Sequence, residues 1–193
     1  MKILKQFSNL IFQFYIAFLS AIPTEVGIRI RYIAYKPLFK KTNGKFRIDS
    51  GVTIIGFSKI EVGENSRFEK NSYMYAVDSE IILGKDFFLG IESKIFAVRA
   101  NIIFGDFCMI APNCILVSDN HKYQDRTIPI MQQGHDAKAI IFEDDIWLGS
   151  NCTVLKGVLI EHGSIVAAGS VVTKSISKYT ISGGVPARFI KER

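Results

Sequence analysis

The chain has 193 residues, 48% apolar and 22% charged, with 24 Lys or Arg against 18 Asp or Glu for a formal net charge of +6. This composition excludes a disordered chain and suits one domain with a sizeable core plus a modest extension. Residues 1–47 hold nine basic residues and the single acid Glu25, net +8, so the remaining 24 − 9 = 15 basic and 18 − 1 = 17 acidic residues sum to −2. The excess basicity is therefore local, which points to an anionic partner at the amino-terminal segment, a membrane surface or a phosphorylated ligand, and there is no nucleic-acid motif.

The first stretch, MKILKQFSNLIFQFYIAFLSAIP, has basic residues ahead of an apolar run, as a signal peptide does. Gln13 interrupts the run, however, and Phe18 and Leu19 stand where a cleavage site needs small residues. The run is also short of the ~20 apolar residues that span a bilayer. Residues 3–22 are predicted as an amphipathic helix ended by Pro23, packing on its own domain in preference to a membrane interface, although peripheral contact at the inner face of the membrane stays open. Residues 25–41 read as a second helix with Arg29, Arg31, Lys36, Lys40 and Lys41 on its polar sides, and Thr42-Asn43-Gly44 as a turn.

From there the pattern changes period. Ile48 and Ile54 start a ladder of apolar residues six apart, which slips and restarts as Val62, Phe68 and Met74, then Leu83, Leu89 and Ile95, then Phe104, Ile110 and Leu116. Gly63, Gly84 and Gly105 each follow the first member, and three extra residues per coil should bulge at one corner. After an interruption, Phe142, Leu148, Val154, Ile160, Val166 and Val172 continue without a slip. A period of six belongs neither to a helix nor to a simple alternating strand, and it predicts a parallel β-helix whose short strands stack coil on coil. The division expected is a basic helical segment over 1–47, a β-helix over 48–176 and a basic tail over 177–193.

Residues 117–141 interrupt the ladder with a polar loop carrying Pro129, Gly134 and two of the three histidines, His121 and His135. A long loop inside a regular solenoid points to function. Cys108, Cys114 and Cys152 each fall four residues after a ladder position, in slots elsewhere filled by Ser, and read as small buried side chains at corners rather than metal ligands or a disulfide. Free thiols suit a reducing, cytoplasmic compartment. His162 reads as a surface residue.

Four segments, IAPNCILVSDNH (110–121), DDIWLGSNCTVLKGV (144–158), AAGSVVTK (167–174) and GGVPARFIK (183–191), together resemble the hexapeptide-repeat acyltransferases, in the branch of galactoside, maltose and surface-polysaccharide O-acetyltransferases. The resemblance implies a mainly β fold, the left-handed parallel β-helix, with amino-terminal helices and the loop excursion at 117–141. It also implies a homotrimer with active sites between subunits, and acetyl-CoA as acyl donor with no metal. By motif position His121 matches the catalytic histidine. Ser150, Ala168, Thr173 and Lys174 match contacts to the pantetheine arm, and Arg188 and Lys191 match the cations that meet the coenzyme's phosphates. Asn113, Asp119 and Trp147 are candidates at the acceptor side, with Trp147 equally placed to pack between subunits.

Chemistry agrees with a histidine base, because an alcohol attacks a thioester only as its proton is being removed, and imidazole titrates near neutral pH. Asp119 or Asp125 could orient the His121 ring, or a backbone carbonyl could; His135 is the rival base. The chain departs from galactoside-type members at GIESKIF (90–96), so their sugar contacts do not transfer. Its Ile22-Pro23, Gly27, Arg29, Arg31 and Tyr35 instead resemble a pattern of surface-polysaccharide acetyltransferases, which implies a glycan or nucleotide-sugar acceptor. The reading is O-acetylation of a sugar hydroxyl. N-acetylation of a nucleotide-linked amino sugar is the alternative, and a zinc hydratase or an inert scaffold of the same fold are remoter ones.

Overall fold

A computed structural model describes residues 2–193. Two helices, α1 (Lys2–Ala21) and α2 (Thr24–Tyr35), precede a solenoid of short parallel strands. The strands form three sheets, each collecting one strand per coil. The first face runs from Lys41–Thr42 to Leu159–Ile160, the second from Phe46–Ile48 to the carboxyl-terminal strands, and the third from Thr53–Ile55 to Val171–Val172. This is the parallel β-helix that the six-residue period predicts, left-handed as the resemblance implies.

The ladder is the core. All seventeen ladder residues from Ile48 to Val172 are at most 6% exposed. The registers stack them directly, as in Leu89, Ile110, Leu148 and Val166 on the second face. Each such burial removes a whole aliphatic or aromatic side chain from water, worth roughly 1.5–3 kcal/mol. Glycines at the corner between the first and second faces let the coils approach: a Cβ on Gly63 would strike the carbonyl of Gly84, and one on Gly84 that of Gly105. The three additional residues of the early coils fall at the corner between the third and first faces, around residues 77–80 and 98–101. Cys108, Cys114 and Cys152 are free and fully buried at corners. Burial pushes the Cys108 thiol up to about 12.

Three sequence expectations are corrected. The second helix does not reach residue 41: it ends at Tyr35, a 3₁₀ turn follows over Lys36–Leu38, and the first coil already begins at Lys41. Pro37 is the cause, because it lacks the N–H that would continue the ladder past Lys36, which still donates to the Tyr32 carbonyl. Arg31 does not lie on a polar side. It is fully buried, with Nε donating to the Ile48 carbonyl (2.9 Å) and Nη1 to those of Leu19 (2.8 Å) and Ile22 (2.6 Å), so it clamps the end of α1 to the first coil. Gly27, Arg31 and Tyr35, spaced four apart, form the buried side of α2. Burial pushes the Tyr35 hydroxyl up to about 12, and lowers Arg31 from its ordinary value. Lastly, the terminal segment does not leave the solenoid as a tail. Thr180–Gly184 joins the second face parallel to Ile165–Val166, and Ala187–Glu192 folds back on it antiparallel.

Candidate active site

The interrupting loop leaves the corner between the third and first faces after Ser118 and returns at Lys138. Its neck is tied by Lys138 N–H to the Ser118 carbonyl (3.0 Å) and by the Ser118 hydroxyl, which donates to the Ala100 carbonyl (2.8 Å) and accepts from Val98 N–H (2.9 Å). Above the neck, Asp119–His121 and His135–Ala137 pair as a two-stranded antiparallel ribbon, with Asp119 opposite Ala137 and His121 opposite His135. Residues two apart on a strand share a face, so Asp119, His121 and His135 point to the same side.

That geometry settles which imidazole the carboxylate meets. Asp119 Oδ2 lies 2.7 Å from His135 Nδ1, its diagonal neighbour, and 2.9 Å from Arg99 Nη1 of the preceding coil. The expectation that Asp119 or Asp125 orients His121 is therefore corrected. Asp125 is turned away to Thr127, whose hydroxyl (2.6 Å) and N–H (2.8 Å) hold its carboxyl below its ordinary range. His121 is exposed and leans on His135, ring centroids 4.5 Å apart at 38°. Among the described residues the His121 ring makes no hydrogen bond. The same His135 Nδ1 also lies 3.3 Å from Arg99 Nη1, so carboxylate, guanidinium and imidazole form one contact group at the base of the ribbon. Asp119 Oδ1 is buried without a partner among the described residues. On the other side of the ribbon Asp136 pairs with Lys156, which anchors the loop to the following coil.

The remaining candidates separate into groups. Ser150 and Ala168 stack at the corner between the second and third faces, where Gly169 N–H donates to the Ser150 carbonyl (2.8 Å). A Cβ added at Gly169 would meet nothing within 4 Å, so this corner is open enough for a thin ligand chain. Arg188 and Lys191 are exposed on the last strand, the outer edge of the second face. Ser150 and Ala168 thus form an open corner of small residues, and Arg188 and Lys191 lie on the hairpin that extends the second face, neither in a salt bridge among the described residues. Thr173 and Lys174 are exposed at the end of the third face, toward the loop's corner. Asn113 also sits at the second corner, with φ of 61° in the column of left-handed residues that includes Glu92 (59°) and Asn151 (59°). A single chain thus places His121 and Asp119 on one side of the ribbon, with the carboxylate on His135, and leaves His121 a corner away from Ser150 and Ala168.

Trp147 is 47% exposed in an outward column on the second face, between Met109 and Ile165, with Phe88 beyond Met109. The first face carries a parallel outward column of Ile82, Ile103, Ile141 and Leu159. Sequence reasoning missed Arg99, because nothing in the ladder marks a corner residue that faces the next coil's loop. It also passed over the cross-strand histidine pair, whose signal was only two histidines in one loop. Among the described residues, no group of three or more His, Cys, Asp or Glu is arranged to hold a metal ion.

Comparison with known proteins places this architecture. The hexapeptide repeat of succinyl-transferase matches residues 139–174. A probable macrolide acetyltransferase of Lysinibacillus sphaericus is 32% identical over 123 residues, covering 55% of this chain and 68% of the relative. Galactoside O-acetyltransferase of Escherichia coli is 31% identical over 132 residues, covering 68% of this chain and 63% of the relative. The chain spans 42% of the length of a probable acetyltransferase of Mycobacterium tuberculosis. Among solved structures, an N-acyltransferase from Bacillus cereus in complex with dTDP and coenzyme A superposes with a TM-score of 0.76 at 20% identity, over 90% of this chain and 91% of that one. With its stacked six-residue coils, its interrupting histidine loop and these relatives, the chain belongs to the hexapeptide-repeat acyltransferase family.

Proposed function

We propose that the protein transfers an acetyl group from acetyl-CoA to a sugar hydroxyl of a surface glycan or its precursor, with His121 as general base. The observation that carries this reading is the ribbon that presents His121 at the rim of the solenoid against an Asp119-held His135. The His121 imidazole takes the acceptor's O–H proton as that oxygen attacks the thioester carbonyl carbon. The C–S bond then breaks, and the imidazolium returns the proton to the leaving thiolate. His135 is the positioning residue, a flat support that limits how His121 can turn, and Arg99 and Asp119 hold it in place.

Acetyl-CoA would lie along the coils after the loop, its arm against Ser150 and Ala168 of one chain, with Thr173 and Lys174, on the loop's corner, as further contacts from a neighbouring chain, and its phosphates at Arg188 and Lys191. Because His121 and the Ser150 corner are on different corners of one chain, the complete site requires two chains. The outward apolar columns through Trp147 and Ile141 are the surfaces that would pack in such a homotrimer. We assign Trp147 to this packing in preference to the acceptor pocket, and Asn113 to its corner. The protein would work in the cytoplasm.

The test is a mass-spectrometric screen for acetyl transfer to sugars and nucleotide sugars, run with the intact protein and with His121→Ala. Hydroxyl acetylation that His121→Ala abolishes supports the reading. Turnover of a nucleotide-linked amino sugar that survives His121→Ala would replace it with N-acetylation, because an unprotonated amine needs less help from a base.

A further inference from the structure

The helical pair leaves an apolar surface that the solenoid does not cover. On α1, Phe7, Leu10, Ile11, Phe14 and Phe18 are 62, 49, 55, 68 and 69% exposed and recur at helical spacing. On α2, Val26, Ile30 and Ile33 are 63, 37 and 73% exposed along one stripe. Among the described residues, it is the end of α1 that is held down, through buried Leu19, partly buried Ile16 and Ile22, and the Arg31 clamp. The expectation that α1 packs its apolar side on its own domain therefore holds for its last turns only. Behind those turns an apolar groove of about 870 Å³ lies between α1 and the first coil, lined by Phe12, Ile16, Leu38, Ile55 and Phe57. The helix is apolar on both sides of its body, yet no helix among the described residues is long and apolar enough to cross a membrane.

Charge narrows what could cover this surface. The segment is net +8, α1 contains no acid, and Arg29 is exposed between Val26 and Ile33 on the apolar side of α2. Lys36, Lys41 and Lys45 are exposed close behind. The one acid, Glu25, is occupied by Arg47 at 2.8 Å. A second copy of the same surface would bring like charge against like charge, whereas a bilayer rich in anionic headgroups satisfies both the aromatic stripe and the cations. We propose that α1 and the outward side of α2 dock the protein on an anionic phospholipid membrane, α1 lying in the interface plane with Phe14 and Phe18 inserted. This stands apart from the acyl-transfer reading and does not require it.

The experiment is co-sedimentation of the full chain with vesicles of phosphatidylcholine alone or mixed with phosphatidylglycerol. Binding to the mixed vesicles is expected, weakening as salt is raised. Phe14→Glu/Phe18→Glu should lower it at least roughly tenfold, from the apolar burial lost. Phe107→Glu, at an exposed aromatic outside the surface, should leave binding unchanged. Circular dichroism and thermal unfolding confirm that each variant is folded. The proposal is overturned if a folded wild-type chain ignores the mixed vesicles, if it binds pure phosphatidylcholine equally well, or if Phe14→Glu/Phe18→Glu binds as before. Loss of oligomeric mass in that double variant, without vesicle binding by the wild type, would assign the surface to a second copy instead.

Discussion

Asp119 reaches one imidazole of the ribbon and not the other, and under the proposed function that would give the two histidines different tasks. His121→Ala should lower kcat for acetyl transfer by about 10²–10⁴-fold with the KM for acetyl-CoA little changed, the loss typical of a missing general base. His135→Ala should cost less, roughly 10–100-fold in kcat, through a poorly placed His121 ring. Steady-state kinetics of the two variants decides the assignment, and the reverse order of losses would make His135 the base. Arg31 illustrates a charged residue whose work is structural. Arg31→Met keeps much of the volume but strands the carbonyls of Leu19, Ile22 and Ile48. Chemical denaturation should show a loss of about 3 kcal/mol or more, with the kinetic constants of the remaining folded protein unchanged. Position by position, the apolar ladder was legible because six-residue spacing admits few other arrangements. Arg31 was misread because its neighbours Arg29 and Lys36 are exposed, and only its four-residue spacing from Gly27 and Tyr35 hinted at a buried side. The same spacing shows that the Gly27, Arg31 and Tyr35 pattern serves to seat α1 on the solenoid, so it says less about the acceptor than its resemblance suggested.

At the scale of elements, the coils depend on repetition and the ends on exceptions to it. Leu148 is fully buried between Ile110 and Val166, so Leu148→Ala opens a void in a continuous stack and should cost about 2–5 kcal/mol by thermal or chemical unfolding. The last hairpin escaped the sequence reading for a physical reason. Ser182 takes the ladder slot below Val166, 5% exposed, and a serine carries no hydrophobic signal even when it sits where a valine would. The histidine ribbon escaped it likewise, since DNH and HDA are polar triplets whose pairing is dictated by the tied neck rather than by burial. On the hairpin, Arg188→Ala with Lys191→Ala should raise the KM for acetyl-CoA about tenfold or more and leave kcat nearly unchanged, as expected for cations that bind phosphate away from the reacting atoms.

For the whole molecule, the proposed function would make assembly a condition of activity, because His121 and the Ser150 corner are separated on one chain. Sedimentation equilibrium should report a trimer. Trp147→Glu, which sets a charge in the outward column of the second face, should shift the protein toward smaller species and lower activity in parallel. The molecule has a polarity of its own, with a cationic, aromatic end at the helices and Arg188 and Lys191 at the other.

The neck of the loop has a consequence for how such a molecule changes over time. Phe104 before the loop and Phe142 after it stack 4.6 Å apart at 18°, as if nothing stood between them in the chain. Ser118 and Lys138 are bonded across the gap. The excursion therefore behaves as a cassette inserted at a seam: its length and residues can drift while the two halves of the solenoid keep their register. Under the proposed function, new acceptors could be tried in the cassette without disturbing the coils that would hold the donor.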